Sequence, residues 1–193
     1  MSRTGRWLTG VVLVLLAAGT LAVHLASRDI PAFDDSDLRV ERIDLPAEQN
    51  AFTYFAQATN VMYWPEEWDL MTNYASGAVG NETIQDLLTK NAETFALLER
   101  GLQCERSVPP VVNSYTSLVS HAVSWRALGR LLAFKARHER LTGRRAEATT
   151  TCCTLLVFAD RIQADAGCLI EYLVGTAVFG LAQRQVSDLA RDP

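Results

Sequence analysis

The pattern of hydrophobic and polar positions changes near residue 26 of the chain. Before that point, residues 8–25 form an apolar, uncharged run that is interrupted only by two threonines and by His24 near its end. A helix needs about 20 apolar residues to cross the ~30 Å hydrocarbon core of a bilayer. The run therefore predicts one membrane-spanning helix, and we interpret residues 1–27 as a membrane anchor.

Basic residues on either side of this run indicate its orientation. Arg3 and Arg6 precede it and Arg28 follows it, and basic residues are retained on the cytoplasmic side of a membrane. We therefore expect a single-pass protein of the inner, cytoplasmic membrane, with a cytoplasmic N-terminus and with residues 28–193 extracytoplasmic. The alternative is a cleaved signal peptide, because small residues such as Ala22 stand where a signal peptidase reads them. The product would then be a periplasmic helical protein.

Beyond the anchor, apolar residues recur at spacings of three and four, which is typical of amphipathic helices. Residues 28–45 are acidic and predict an extended linker, whereas residues 46–193 predict an all-α exported domain. Proline, glycine and asparagine divide this domain into about five antiparallel helices, in a bundle or an array. Their predicted ranges are 46–63, 81–101, 114–141, 145–165 and 168–190. The same layout would suit the front part of a longer array.

The last predicted helix, residues 168–190, is apolar on nearly all sides. A helix of this kind is buried in a protein core or in a bilayer. Its continuous apolar length is short and contains Glu171, which argues against a second membrane span. We therefore expect this helix to be buried within the protein, with Gly175 and Gly180 allowing close approach of a neighbouring backbone.

The segment from Leu132 to Phe158 resembles a tetratricopeptide repeat unit, in which two antiparallel helices cross at small residues and are joined through a glycine. The residues at the corresponding spacings are Ala136, Gly143 and Ala148. Glu139 and Cys152 stand where that family carries aromatic residues, and no second copy follows at a 34-residue period. The resemblance implies a protein-binding or scaffolding role. The whole layout also resembles bacterial proteins with one membrane anchor and an all-helical exported domain, which implies no activity.

The net charge of the chain narrows the classes of molecule that it is expected to bind. The chain has 22 acidic and 18 basic residues and a formal net charge of −4, which argues against nucleic-acid binding. Basic residues nevertheless cluster between residues 126 and 145, and we interpret them as a solvated helix face, with an acidic partner or the acidic linker as the alternative. The cluster consists of Arg126, Arg130, Lys135, Arg137, Arg140, Arg144 and Arg145.

The four cysteines are Cys104, Cys152, Cys153 and Cys168. Export permits disulfides, but adjacent cysteines on a helix point about 100° apart and Cys168 lies too far along the hairpin to reach them. The C-x2-C spacing of zinc sites is absent. We therefore expect free thiols that pack as small hydrophobic residues.

No motif predicts a catalytic, cofactor-binding or metal-binding residue. His121 lies four residues before Trp125 on a predicted core helix, and we interpret it as a hydrogen-bonded core histidine. His138 lies within the basic stretch and is expected to be solvated.

A short aromatic and acidic loop is the local candidate for a partner-binding site. It consists of Tyr63, Trp64, Glu66, Glu67, Trp68 and Asp69. Aromatic rings beside carboxylates also occur in glycoside hydrolases, so the alternative is an envelope-acting hydrolase that uses Glu66, Glu67 or Asp69 as its acids. Because sequence neighbours rarely face each other across a substrate, we favour a membrane-anchored interaction or scaffolding module without a catalytic site.

Overall fold

The computed structural model describes residues 19–21, 23, 44–64, 79–110 and 120–191 of the chain. Contacts divide the chain into two compact units, residues 1–42 and residues 43–193. In the first unit, residues 19–21 and 23 are helical, and Leu21 and Val23 are exposed. The remainder of the predicted span and almost all of the predicted linker lie outside the described residues and stay predictions. Among the described residues, no helix combines the length and the apolar character needed to cross a bilayer.

The second unit confirms the all-α prediction. Its described residues form a 3-10 turn and six α-helices, and β-structure within them is limited to an isolated bridge between Asn50 and Arg106. The 3-10 turn is Ala47–Gln49, and the helices are α1 (Ala51–Val61), α2 (Asn81–Lys90), α3 (Ala92–Gln103), α4 (Ser120–Leu141), α5 (Arg145–Ala164) and α6 (Leu169–Arg191).

The first helix begins at Ala51, later than the predicted start at residue 46. Asn50 is its N-cap, and its side-chain oxygen accepts a hydrogen bond from the Phe52 amide at 3.0 Å. Such a bond satisfies one of the amide groups that the first turn of a helix leaves without a partner. The cap therefore sets the start of α1.

Asn91 divides the predicted helix of residues 81–101 into α2 and α3, so the prediction of one continuous helix was wrong. The Asn91 side chain is fully buried, and its amide group donates to the carbonyl oxygens of Leu87 and Tyr63, both at 2.9 Å. Its oxygen accepts from the Tyr63 amide, also at 2.9 Å. An asparagine that bonds to backbone groups in this way competes with the hydrogen-bond ladder of a helix.

The turn between α4 and α5 lies where the sequence predicts it. Gly143 has a φ of 79°, a left-handed conformation that glycine adopts without steric cost. The Gly143 amide donates to Arg140 O at 3.0 Å and the Arg144 amide donates to Glu139 O at 2.8 Å. These bonds satisfy the last carbonyl groups of α4 and reverse the chain into α5.

Contacts at the two ends of each helix pair define the packing directions. Gly101 of α3 lies against Phe55 of α1, and Asn91 at the start of α3 bonds to Tyr63 just after α1, so these two helices are antiparallel. The helices α5 and α6 are also antiparallel. A Cβ placed on Gly175 would lie within 3.1 Å of Ala159 O, and Arg145 donates to Leu189 O at the other end.

The helices α4 and α6 run in the same direction on one side of α5. Near their first turns, His121 of α4 bonds to Glu171 of α6. Two turns further along, a Cβ placed on Gly129 would lie 2.8 Å from a methyl group of Val178. Glycine at position 129 therefore allows the two helices to approach each other closely.

The main core joins the α1–α3 hairpin to the α4–α5–α6 layer. The Phe55 ring packs edge-on against Phe158 at a centroid distance of 5.0 Å and against Trp125 at 6.2 Å. A second small cluster packs α2 against α4 through Ile84, Leu87, Leu88 and Phe134. Both clusters are buried, and burial of apolar side chains is the main stabilising contribution of such a fold.

A segment after α3, residues 104–110, ties α1 to the end of α5. Arg106 O accepts from the Ala51 amide at 2.9 Å, and Arg106 Nε lies 2.6 Å from Asp165 Oδ1. The Ser107 amide donates to Asp165 Oδ2 at 2.7 Å. Asn50 exchanges two side-chain hydrogen bonds with the backbone of Val108, at 2.9 and 3.0 Å.

The prediction that the last helix is buried within the protein holds for one stripe of it. Among the described residues this stripe of α6 is covered by α4 and α5, and its buried residues are Glu171, Gly175, Val178 and Ala182. Large apolar side chains on its other sides are exposed: Leu169, Ile170, Tyr172, Leu173 and Phe179.

Candidate functional site

The predicted aromatic and acidic loop falls only partly within the described residues. Tyr63 and Trp64 are described, and the other predicted members, Glu66, Glu67, Trp68 and Asp69, lie outside them. Tyr63 is held through its backbone by Asn91, whereas its ring is 44% exposed and lies 4.9 Å from the ammonium nitrogen of Lys90. The Lys90 ammonium group donates a hydrogen bond to Asp86, and this bond raises the pKa of Lys90. The described part of the loop thus consists of the exposed Tyr63 ring beside a cation and of the half-buried Trp64.

Glu171 is a fully buried acidic residue that joins two helices. Its side chain is 0% exposed, and its two oxygens have different partners. Oε1 lies 2.5 Å from Nε2 of His121, and Oε2 accepts from the Gly167 amide at 2.6 Å. A buried carboxylate without such partners would strongly destabilise the fold, so these two contacts permit its burial.

Two aromatic rings also pack against the His121 imidazole. Its ring centroid lies 4.8 Å from that of Trp125 and 5.2 Å from that of Phe52, both in edge-on geometry. The Trp125 indole is 2% exposed, and its Nε1 has no hydrogen-bond partner within the described residues. The interpretation of His121 as a hydrogen-bonded histidine is confirmed, and its side chain, which is 17% exposed, lies at the edge of the core.

Sequence reasoning missed the acid that pairs with His121. Glu171 lies 50 residues further along the chain, so no local offset could identify it. In chemical terms the pair could exchange a proton, but a carboxylate with no exposure cannot contact a substrate. We assign the pair a structural role, in which it joins α4 to α6.

A shallow groove lies between the start of α1 and the end of α3. Its volume is about 520 Å³, and its lining mixes both charge signs: Leu45, Glu48, Gln49, Tyr54, Arg100, Gln103, Cys104, Glu105 and Arg106. The Cys104 thiol donates weakly to Glu48 O and Arg100 O, and burial raises its pKa. A raised pKa disfavours the thiolate, which is the nucleophilic form of cysteine. The Cys104 thiol is therefore not an activated nucleophile.

All four cysteines are free. Cys152 is buried and Cys153 is exposed, while Cys104 and Cys168 are intermediate. Burial raises the pKa of the Cys152 thiol. The interpretation as core residues thus holds for Cys152 and not for Cys153. Within the described ranges, no group of three or more histidine, cysteine and acidic side chains is placed to hold a metal ion.

The basic stretch of residues 126–145 is not the uniformly solvated face that the sequence suggests. His138 was predicted to be solvated, but it is 2% exposed. Glu139 is also buried, and it accepts from Thr151 Oγ1 at 2.6 Å. Five of the seven basic residues in this stretch are only partly exposed, and burial lowers the pKa of one of them, Arg130.

The exposed side of α6 carries an ordered apolar surface. We define the outer face of α6 as Leu169, Ile170, Tyr172, Leu173, Thr176, Ala177, Phe179 and Gly180. Leu169 and Leu173 are 70% and 55% exposed. Thr176 Oγ1 donates to Tyr172 O at 3.0 Å, so its hydroxyl group is satisfied within the helix. Between residues 169 and 183 the only charged residue is Glu171, and it points inward.

Neither family models, nor curated proteins, nor solved structures give a match to this chain.

Proposed function

We propose that this protein is a membrane-anchored helical interaction module that binds protein through the outer face of α6. The observation that carries the proposal is the exposure of Leu169, Ile170, Leu173 and their neighbours on one uncharged side of a helix. A contiguous exposed apolar surface on a folded domain is typical of an interaction site. The residues are held on a rigid element, because the opposite stripe of α6 packs on α4 and α5.

The packing of the helices supports the same role. Antiparallel helix pairs that stack on one another are the building plan of protein-binding helical arrays, and each pair contacts its neighbours. In this chain α4 and α5 form such a pair, and α6 packs against both. The tetratricopeptide resemblance of residues 132–158 belongs to the same α4–α5 pair.

The proposal includes the predicted location. Residues 8–25 would span the inner membrane once, with a cytoplasmic N-terminus, and would hold residues 28–193 on the extracytoplasmic side. Leu21 and Val23 are helical, apolar and exposed, which supports a lipid-facing environment. If the segment is cleaved instead, the mature chain begins after residue 22, and mass measurement of the purified protein distinguishes the two forms.

Photo-crosslinking of the full chain in its native membrane tests the interaction role. A photoreactive residue at Ile170 is expected to form a protein adduct of one defined mass, and Leu173→Glu in the same chain is expected to abolish it. A photoreactive residue at the exposed Glu147 of α5 serves as the control. Adducts to lipid alone, or a protein adduct that persists in the Leu173→Glu variant, would contradict the proposal.

A further inference from the structure

We propose that the tip of the α4–α5 hairpin binds the surface of an anionic phospholipid bilayer. We define the hairpin tip as Arg140, Leu141, Thr142, Gly143, Arg144 and Arg145. This surface differs from the outer face of α6, so the binding would be additional to the proposed protein interaction. It rests on the proposed membrane location, which would hold the helical unit beside a bilayer.

The hairpin tip is a defined turn at one end of the α4–α5–α6 layer. Phe134 of α4 packs against α2, and the tip begins six residues further along α4. The left-handed conformation of Gly143 reverses the chain there. Arg145 donates to Leu189 O at 3.1 Å, which holds the start of α5 against the end of α6. The side chains of the tip are therefore presented on a rigid support.

The hairpin tip is basic. Three of its six residues are arginines and none is acidic. The preceding acid, Glu139, is buried and accepts a hydrogen bond from Thr151 within the fold. Arg144 Nε donates to Thr142 Oγ1 at 3.1 Å, and the other donors of this guanidinium group have no partner among the described residues. Because guanidinium groups bind phosphate oxygens through paired hydrogen bonds, the tip has the charge and the donors to bind phospholipid headgroups.

Leu141 favours a lipid surface over an acidic protein as the partner of the tip. Its side chain is 50% exposed, although it follows Arg140 directly and lies three residues before Arg144. Peripheral membrane-binding surfaces combine an apolar part that enters the boundary of the acyl chains with basic groups that attract anionic lipids. The hairpin tip has both components within one turn of the chain.

The opposite end of the helical unit carries an excess of acidic residues. The segment of residues 104–110 ties the start of α1 to the end of α5 at that end. Residues 44–50, 100–107 and 160–165 contain five acidic residues, Asp44, Glu48, Glu105, Asp160 and Asp165, and three arginines, Arg100, Arg106 and Arg161. An anionic bilayer would attract the hairpin tip and repel this end, so the charge distribution favours one orientation of the unit.

The predicted linker is long enough to allow this approach. Residues 28–45 comprise 18 residues, which can extend to about 60 Å, whereas the 20 residues of α5 are about 30 Å long. Each basic residue near an anionic surface favours binding about 5-fold, which is weak for three arginines alone. An anchor in the same membrane would raise the effective concentration of the bilayer surface, so that such a weak contact is populated.

Photo-crosslinking to lipid in vesicles of known composition tests the proposal. The full chain with a photoreactive residue at Thr142 is reconstituted into phosphatidylcholine vesicles with or without phosphatidylglycerol, and the adducts are identified by mass. The expected result is an adduct with phosphatidylglycerol whose yield falls in high salt, because salt screens exposed charges. The control carries the photoreactive residue at Gln103, which is exposed at the opposite end of the unit and should give a much lower yield.

Neutralising the hairpin tip separates the effect of charge from proximity to the bilayer. Arg144→Gln/Arg145→Gln is expected to lower the yield of the phosphatidylglycerol adduct by up to about 20-fold. Arg144→Lys/Arg145→Lys keeps both charges and should retain most of the adduct. Arg100→Gln, at an exposed arginine of the opposite end, is the matched control and should leave the yield unchanged. Urea unfolding of each variant establishes that it is folded.

Equal yields from Thr142 and Gln103, or equal yields with and without phosphatidylglycerol, would overturn the lipid binding. An adduct of Thr142 with an acidic protein in place of lipid, in the native membrane, would overturn it as well. So would a cleaved chain that does not bind the vesicles. None of these results changes the expected protein adduct of Ile170, which tests the outer face of α6. Conversely, loss of the Ile170 adduct with a retained lipid adduct at Thr142 would contradict the protein interaction and support the binding of lipid by the tip.

Discussion

His121 of α4 and Glu171 of α6 join the first turns of two parallel helices through a contact of 2.5 Å between Nε2 and Oε1. The acid is fully buried, and its other oxygen accepts from the Gly167 amide. The contact therefore fixes both the distance between the helices and the start of α6.

Replacing Glu171 should destabilise the fold, and the loss should be larger when more of its hydrogen-bond partners are left unsatisfied. Glu171→Ala leaves His121 and the Gly167 amide without an acceptor and is expected to cost about 3–5 kcal/mol of unfolding free energy. Glu171→Gln keeps an oxygen for the Gly167 amide and is expected to cost less, about 1–3 kcal/mol. Urea unfolding of the full chain in detergent measures both. Glu147→Gln, an exposed acid on α5, is the control and should change stability by less than about 0.5 kcal/mol.

Asn91 should determine how firmly the backbone just after α1 is held in place. Asn91→Ala removes the hydrogen bonds to the backbone of Tyr63 and leaves its amide without that acceptor, at a cost of about 2–4 kcal/mol. Hydrogen exchange at the Tyr63 amide is expected to accelerate by more than the global loss of stability explains. Asn60→Ala, an exposed asparagine on α1, should leave this exchange unchanged. Equal protection of Tyr63 in both variants would contradict the assignment.

The close approach of α4 and α6 makes Gly129 sensitive to a single methyl group. Gly129→Ala would place a Cβ 2.8 Å from a Val178 methyl group and is expected to destabilise the fold by about 1–3 kcal/mol, despite the better helix propensity of alanine. Val178→Ala should relieve this clash, so the two changes together should cost less than the sum of their separate effects. Strict additivity in this double-mutant cycle would show that the two residues do not contact each other.

The buried His138 predicts a loss of stability in acid. Burial, and then the positive charge of Arg144, lower the pKa of His138 from its ordinary value of 6.5, although Glu139 acts in the opposite direction. Below pH 6.5 the unfolded chain therefore binds a proton at His138, whereas the folded chain binds it only at a lower pH. This contribution to stability is complete above pH 6.5 and is lost as the pH falls towards the lower folded value.

Urea unfolding at pH 7.5 and at pH 5 measures this effect. The wild-type chain should lose more unfolding free energy between the two pH values than the His138→Gln variant, which has no titrating side chain at this position. If the two chains lose the same amount, His138 takes up its proton equally in the folded and unfolded states.

Adjacent cysteines on α5 should react very differently. Cys153 is exposed, whereas Cys152 is buried and its pKa is raised by burial. Because the thiolate is the reactive form, iodoacetamide at pH 7.5 should modify Cys153 in the native protein and Cys152 only after unfolding. Peptide mass mapping distinguishes the two positions, and Cys153→Ser should remove the faster reaction. Comparable native rates at both positions would contradict the described burial.

The sequence predicts the positions of the helices better than it predicts the contacts between them. Three-and-four spacing and the Gly143 turn locate α5 within a residue of its observed ends. The break at Asn91 is not visible in the same pattern, because it depends on Tyr63, which lies 28 residues earlier. For the same reason the partner of His121 could not be identified by local spacing.

The apolar residues of α6 show what hydrophobic patterning does not predict. An apolar residue on a helix indicates contact with something other than water, but it does not indicate which molecule supplies the contact. Glu171 and Val178 face the protein's own helices, whereas Leu169 and Leu173 face outward. The prediction of a helix buried within the protein is therefore correct for one side of α6 and not for the other.

The segment of residues 104–110 has a mechanical consequence. The chain enters the helical unit at Asn50, and from there hydrogen bonds lead through Val108 and Arg106 to Asp165 at the end of α5. A force applied to the polypeptide ahead of Asn50 would be shared at once between the first hairpin and the α4–α5–α6 layer. Under tension these parts would resist together, and the first hairpin would not peel away by itself.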